Sequence, residues 1–123
     1  VRIDSVRPTT PKPPRGAAAP SDLQRRAVLF ASVMANAKDS VLVTEAEPID
    51  LASGGPRILY VNEAFTAMTG YSSDEAVGRT PRMLQSPRTD RDELGRLRYA
   101  LAAWEPAEVE LLNVGKDGRE FWV

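Results

Sequence analysis

The chain has 123 residues, of which 42% are hydrophobic and 27% charged, with a formal net charge of -1; these proportions suit one soluble globular domain. The near-neutral balance gives no electrostatic footprint for nucleic acid, and no apolar run approaches the length that spans a bilayer, so a cytoplasmic domain without membrane insertion is expected. With no cysteine and no histidine, disulfides, thiolate nucleophiles, the usual zinc ligands and histidine acid–base chemistry are excluded.

Residues 1–20 carry Pro8, Pro11, Pro13, Pro14 and Pro20, interleaved with Arg2, Arg7, Lys12 and Arg15. Proline fixes φ and removes amide donors, so neither helix nor ladder is expected there. The composition reads as a linker or leader, with a polyproline ligand for a partner domain as the sharper alternative. Over residues 21–38 a flanking helix is expected. Ser21 and Gln24 have capping-box spacing, and Leu23, Ala27, Phe30, Met34 and Ala37 recur at helical intervals. Val28, Leu29 and Val33 add a second apolar face. A helix apolar on two sides packs on two things, here its own sheet and a second subunit.

Residues 39–123 read as the core. Strands are expected at Val41–Thr44 and Ile58–Val61, separated by a loop with Pro48, Gly54, Gly55 and Pro56. Asn62 suits the N-cap of a short helix through Phe65 and Met68, stopped by Gly70. Ser72 and Glu75 make a capping box for a second short helix ending near Gly78, and a third covers Arg82 to Gln85. Thr89 or Asp90 caps a longer helix with Leu94, Leu97, Leu101 and Trp104 on one side, and Pro106 prevents its continuation. A strand from Glu108 to Val114, a turn at Lys116-Asp117-Gly118 and a returning strand from Glu120 to Val123 complete the order. The fold class expected is α+β, an antiparallel sheet with small helices on one face.

Several of these stretches resemble the PAS family, and its LOV branch in particular. ILYVNEAFTAMTGYSSDEAVG, from Ile58 to Gly78, is similar to the strand-to-helix segment that opens a PAS pocket. GRTPRMLQSPRTD, from Gly78 to Asp90, resembles the LOV signature G-R-N-C-R-F-L-Q-G-P-x-T-D. RLRYAL and VELLNVGKDGREFWV resemble the helix and hairpin that follow in that family. The resemblance covers about residues 40–123 and implies a five-stranded antiparallel sheet. Four of those strands are found here. The chain begins with Val1 and ends within the apolar run Phe121-Trp122-Val123, which reads as a piece of a longer protein whose last strand lies beyond.

The departures from the LOV pattern bear on function. A LOV photosensor binds FMN, and its cysteine thiol adds to the excited flavin. In this chain the cysteine position is Pro81, the neighbouring asparagine is Thr80, and a second-strand asparagine that bonds the flavin edge is Val123. Without a thiol that addition is chemically impossible. Arg82 and Arg98 match family arginines that pair with the FMN phosphate, and Gln85 and Asn113 match polar residues that contact the flavin. The bland readings are solvated arginines on helix faces, a helix-capping Gln85 and an Asn113 that satisfies backbone.

The function expected is a sensory and dimerisation module without a cofactor. The resemblance associates such domains with an attached output, either a cyclic-di-GMP enzyme of the GGDEF/EAL type or a histidine kinase. Association as a homodimer through the N-terminal helix or the sheet, and a small-molecule ligand in the pocket, follow from the same reading. The alternative is a non-covalent FMN redox or light sensor, with Tyr60, Tyr71, Tyr99, Trp104 and Trp122 as electron donors. Carboxylates cluster at Glu45, Glu47 and Asp50 and at Asp90, Asp92 and Glu93. No nucleophile–base pair accompanies them, so the chain is not expected to be an enzyme.

Overall fold

A computed structural model of the chain describes residues 2–3, 20–46 and 54–123. The order is β1 (Arg2–Ile3), α1 (Pro20–Ala35), β2 (Leu42–Thr44), β3 (Ile58–Val61), α2 (Glu63–Thr69), α3 (Ser73–Ala76), a 3-10 helix (Pro81–Leu84), α4 (Arg91–Ala103), β4 (Ala107–Glu108), β5 (Leu112–Val114) and β6 (Glu120–Trp122). All strand pairing among the described residues is antiparallel: β1 with β4, β2 with β3, and β5 with β6.

Local chemistry explains most of these boundaries. Asn62 caps α2 through its side chain, and Gly70 ends the helix with φ 78 in the left-handed region. Ser72 and Glu75 form both halves of the capping box on α3. Asp90, not Thr89, caps α4 by accepting from the amides of Asp92 and Glu93. The β5–β6 hairpin pairs Leu112 with Trp122 and Val114 with Glu120. It extends by one further pair, in which Leu111 and Val123 exchange two backbone bonds of 3.0 Å. Gly118 closes the turn at φ 82.

Four expectations need correction. First, Arg2 and Ile3 do form a ladder, opposite Glu108 and Ala107. They precede Pro8, so their amides are free to pair. Second, α1 begins at Pro20, which places Ser21 inside the helix rather than at its cap. Proline is well suited to a first helical turn, where its missing amide is not needed. Third, the strand expected over Glu108–Val114 is divided into β4 and β5, because its two ends pair with different partners, β4 with β1 and β5 with β6. Fourth, α1 does not lay a face on the sheet. Leu23 (60%), Val28 (66%), Leu29 (66%), Phe30 (58%) and Val33 (56%) are all exposed. The proline-rich residues 4–19 lie outside the described residues, as does most of the loop after Ala46.

The core divides in two. Ile58, Val61, Phe65, Ala76 and Leu84 form one cluster, backed by Leu42, Tyr71 and Met83. Leu94, Val109 and Leu111 form the other, with Leu97 and Val123 against it.

Candidate functional site

The segment from Gly78 to Asp90 connects these clusters. It starts on β3, where the Gly78 amide donates to Ile58 O at 2.8 Å and the Ile58 amide to Arg79 O at 2.7 Å. Pro81 then opens the 3-10 helix, which ends at Leu84. Gln85 forms an antiparallel bridge with Asn113 on β5. Residues directly opposed in such a bridge present their side chains to the same face, so these two half-buried amides are neighbours.

Beyond the bridge the segment is fastened by side chains. The Thr89 hydroxyl donates to Leu112 O at 2.6 Å and accepts from the Ser86 amide at 2.9 Å. The Glu120 carboxylate on β6 accepts from the Ser86 hydroxyl at 3.2 Å and from the Arg88 guanidinium at 2.6 Å. β5 therefore has β6 on one edge and residues 85–89 on the other.

The four residues singled out from sequence divide accordingly. Gln85 and Asn113 are brought together. Arg82 on the 3-10 helix and Arg98 on α4 are exposed, and no ion pair engages either among the described residues. Sequence reasoning missed the fastening residues Ser86 and Glu120, and took Thr89 only as a helix cap. The signal available was Thr89 in a Ser-Pro-Arg-Thr-Asp run, where a short hydroxyl next to a helix start commonly bonds local backbone.

A second fastening ties the hairpin turn to the small helices. The Lys116 amide donates to Thr69 O at 2.9 Å, and the Lys116 ammonium pairs with Glu75. That ammonium, together with the Ser72 amide, holds the Glu75 carboxyl below its ordinary pKa. An open depression of about 540 Å³ lies between α4 and β4, lined by Arg96, Tyr99, Pro106 and Glu108 among others. None of the four candidate residues lines it. Among the described residues no cluster of acidic side chains could hold a metal ion, and no helix is long and apolar enough to cross a membrane.

A family model described as PAS domain matches residues 46–123. A solved LOV domain from the blue-light activated histidine kinase of Erythrobacter litoralis superposes with a TM-score of 0.61 at 36% identity, over 68% of this chain and 72% of that one. The chain belongs to the PAS family, in its LOV-like branch. The dark structure of the photoreceptor Aureochrome1 LOV matches with a TM-score of 0.59 at 32% identity, over 78% of this chain and 64% of that one. The blue-light-activated histidine kinase of Brucella anthropi is 36% identical over 100 residues, covering 77% of this chain and 20% of that protein. An Erythrobacter litoralis kinase of the same description is 46% identical over 65 residues, or 53% of this chain and 18% of that protein. The chain thus spans about a fifth of the length of these curated relatives.

The solved neighbours include a LOV domain studied with a flavin analogue. The four residues offer polar groups that a flavin held without a covalent bond could use. Gln85 and Asn113 supply paired amides at one place, and Arg82 and Arg98 are cations without ion-pair partners among the described residues. They do not fit thiol chemistry. Pro81 occupies the first position of the 3-10 helix, and Val123 packs on the cluster around Leu94 with no side-chain donor to offer.

Proposed function

We propose that this PAS domain is the sensory input module of a larger signalling protein, and that catalysis belongs to an attached histidine kinase. The observation that carries this reading is α1. It is a sixteen-residue helix in which Leu23, Val28, Leu29, Phe30 and Val33 are exposed, while Met34 in its last turn and Ala37 just beyond it are half-buried. Such a helix is suited to self-association and to passing a change in the core to another domain. The choice of output rests on the curated relatives, which are blue-light-activated histidine kinases. A cyclic-di-GMP enzyme is the other output that the sequence resemblance allows. The test is phosphorylation by the whole protein. Autophosphorylation that Phe30→Asp alters severalfold supports the reading, and a whole protein without phosphotransfer activity overturns the kinase assignment.

A second reading is favoured by the facing amides of Gln85 and Asn113. On it the domain holds FMN non-covalently and responds to light or redox state. A flavin supplies blue absorption and reversible electron uptake. The protein supplies amides at Gln85 and Asn113 and phosphate partners at Arg82 and Arg98. FMN titration of the purified protein tests it. Loss of a charged hydrogen-bond partner removes about 1.5–3 kcal/mol, so Arg82→Ala or Arg98→Ala should weaken binding by roughly ten- to a hundredfold. Unchanged affinity in both variants places the phosphate elsewhere.

A further inference from the structure

Asn62 is 3% exposed, and every polar atom of its side chain is used, across three separate parts of the chain. Its Oδ1 accepts from the Phe65 amide at 3.0 Å, which caps α2, and from the Val41 amide at 2.9 Å, at the entry to β2. Its Nδ2 donates to Asp39 O at 2.9 Å and to Met34 O at 3.1 Å. Met34 is in the last turn of α1, where helix carbonyls lack partners within the helix. The backbone joins in, since the Asn62 amide donates to Val41 O at 3.2 Å. The amide orientation is fixed by this surrounding, because exchanging oxygen and nitrogen would set donors against N–H groups and an acceptor against carbonyls.

The cap on α2 needs only Oδ1, and a serine, threonine or aspartate would make it equally well. The two Nδ2 bonds are outside that role, and both are spent on the junction between α1 and the core. The exposed Leu23–Val33 stretch of α1 gains little from packing on the core. Its direction is therefore set at its C-terminal end.

We propose that Asn62 is a positioning residue that fixes the N-terminal helix on the PAS core, joining the exit of α1, the start of β2 and the start of α2 through one side chain. That α1 carries a signal depends on the proposed function. Its anchoring by Asn62 does not, and the following experiment reads the anchoring alone.

The chain has no cysteine, so Arg26→Cys and Asp74→Cys provide unique spin-label sites on α1 and α3. Distances are measured by electron–electron resonance in protein diluted with unlabelled chain. With Asn62 intact, one narrow distribution is expected. Asn62→Asp keeps the acceptor for Phe65 and Val41, removes both donors and sets a carboxylate against two carbonyls. The distribution should broaden. Hydrogen exchange at Ala37, whose amide donates to Met34 O, should accelerate about tenfold or more, with exchange at Phe65 and Thr66 changed less than about twofold. Asn62→Ser, which caps α2 but is too short to reach Met34, should behave alike. A distribution that stays narrow in both variants overturns the proposal. So does loosening of α2 as great as that of the α1 junction, or failure of both variants to fold, since Asn62 would then hold the core as a whole.

Discussion

Replacing Thr89 with valine tests the fastening beside the candidate site with almost no change of shape. Thr89 is 2% exposed, and its hydroxyl links Leu112 O to the Ser86 amide. Leu111 and Val123 form a doubly bonded pair, so by antiparallel alternation the next residue, Leu112, turns its carbonyl away from β6. There it accepts from the Thr89 hydroxyl. Both partner residues are buried, Ser86 at 8% and Leu112 at 6%. Thr89→Val therefore takes the hydroxyl partner from one donor and one acceptor. Each unpaired group costs about 1–3 kcal/mol, and allowing for partial relaxation the expected loss is about 2–4 kcal/mol. Thr89→Ser keeps the hydroxyl and deletes a methyl, for a loss of about 1 kcal/mol. The assay is urea denaturation of the three proteins. With a slope of about 1.5 kcal/mol per molar urea, valine should lower the midpoint by roughly 1–2 M more than serine at an unchanged slope. Equal midpoints for the two variants would refute the assigned hydrogen bonds.

Three further outcomes are expected. Gly115→Ala should destabilise the domain by about 1–3 kcal/mol, because the added Cβ would lie 2.9 Å from the backbone oxygen of Thr69; a melting temperature unchanged from the parent would contradict the close packing of the hairpin turn on α2. The Glu75 carboxyl is held below its ordinary pKa, first by Lys116 and then by the Ser72 amide. Its contribution is thus present above the unfolded value, about 4.3, and is lost as pH falls through the lower folded value. Lys116→Ala should flatten stability against pH below about 5, and a carboxyl titration of Glu75 by NMR that is identical in parent and variant would count against the pair. Finally, the protein should sediment as a dimer at tens of micromolar, well above a micromolar dissociation constant of about -8 kcal/mol, and the doubly substituted Phe30→Asp, Val33→Asp protein as a monomer; a monomeric parent would end the case for α1 as an interface.

Much of the fold was legible because its punctuation is local. The caps at Asn62 and Ser72 and the stop at Gly70 are readable from residue type and spacing alone, and the structure has each of them. The end of α4 was expected from Pro106. It comes at Ala103, where Trp104 takes φ 58 as the C-cap, a conformation that no residue-type rule assigns to tryptophan. What was not legible depends on tertiary partners. The apolar periodicity of α1 predicted a helix correctly, but periodicity does not tell which face is covered, and in the single chain neither is. The pairing of Gln85 with Asn113 brings together residues 28 positions apart, and only the family resemblance hinted at it. The sequence marks Glu120 only as the start of a strand. Its carboxylate gains a role only once the 86–89 loop lies beside β6.

On the proposed reading, losing the thiol removes a covalent trigger and leaves the transmission parts in place. A non-covalent ligand changes the balance of two arrangements only by the difference in its affinity for them. To carry a population from 1:99 to 99:1 that difference must reach about 5.5 kcal/mol. One hydrogen bond made in one arrangement and not in the other contributes about 1 kcal/mol, and one to a charged group about 1.5–3 kcal/mol. Gln85, Asn113 and one arginine together thus come to roughly 3.5–5 kcal/mol, close to a full switch, provided that all three contacts differ between the states. Gln85 is well placed for that condition. It sits between the 3-10 helix and the Ser86–Thr89 fastening, so a ligand that draws on its side chain also pulls on the backbone bound to β5 and, through Glu120, to β6. A ligand that engages only one of Arg82 and Arg98, both exposed and outside these bonds, would contribute about 1.5–3 kcal/mol at most, short of that difference.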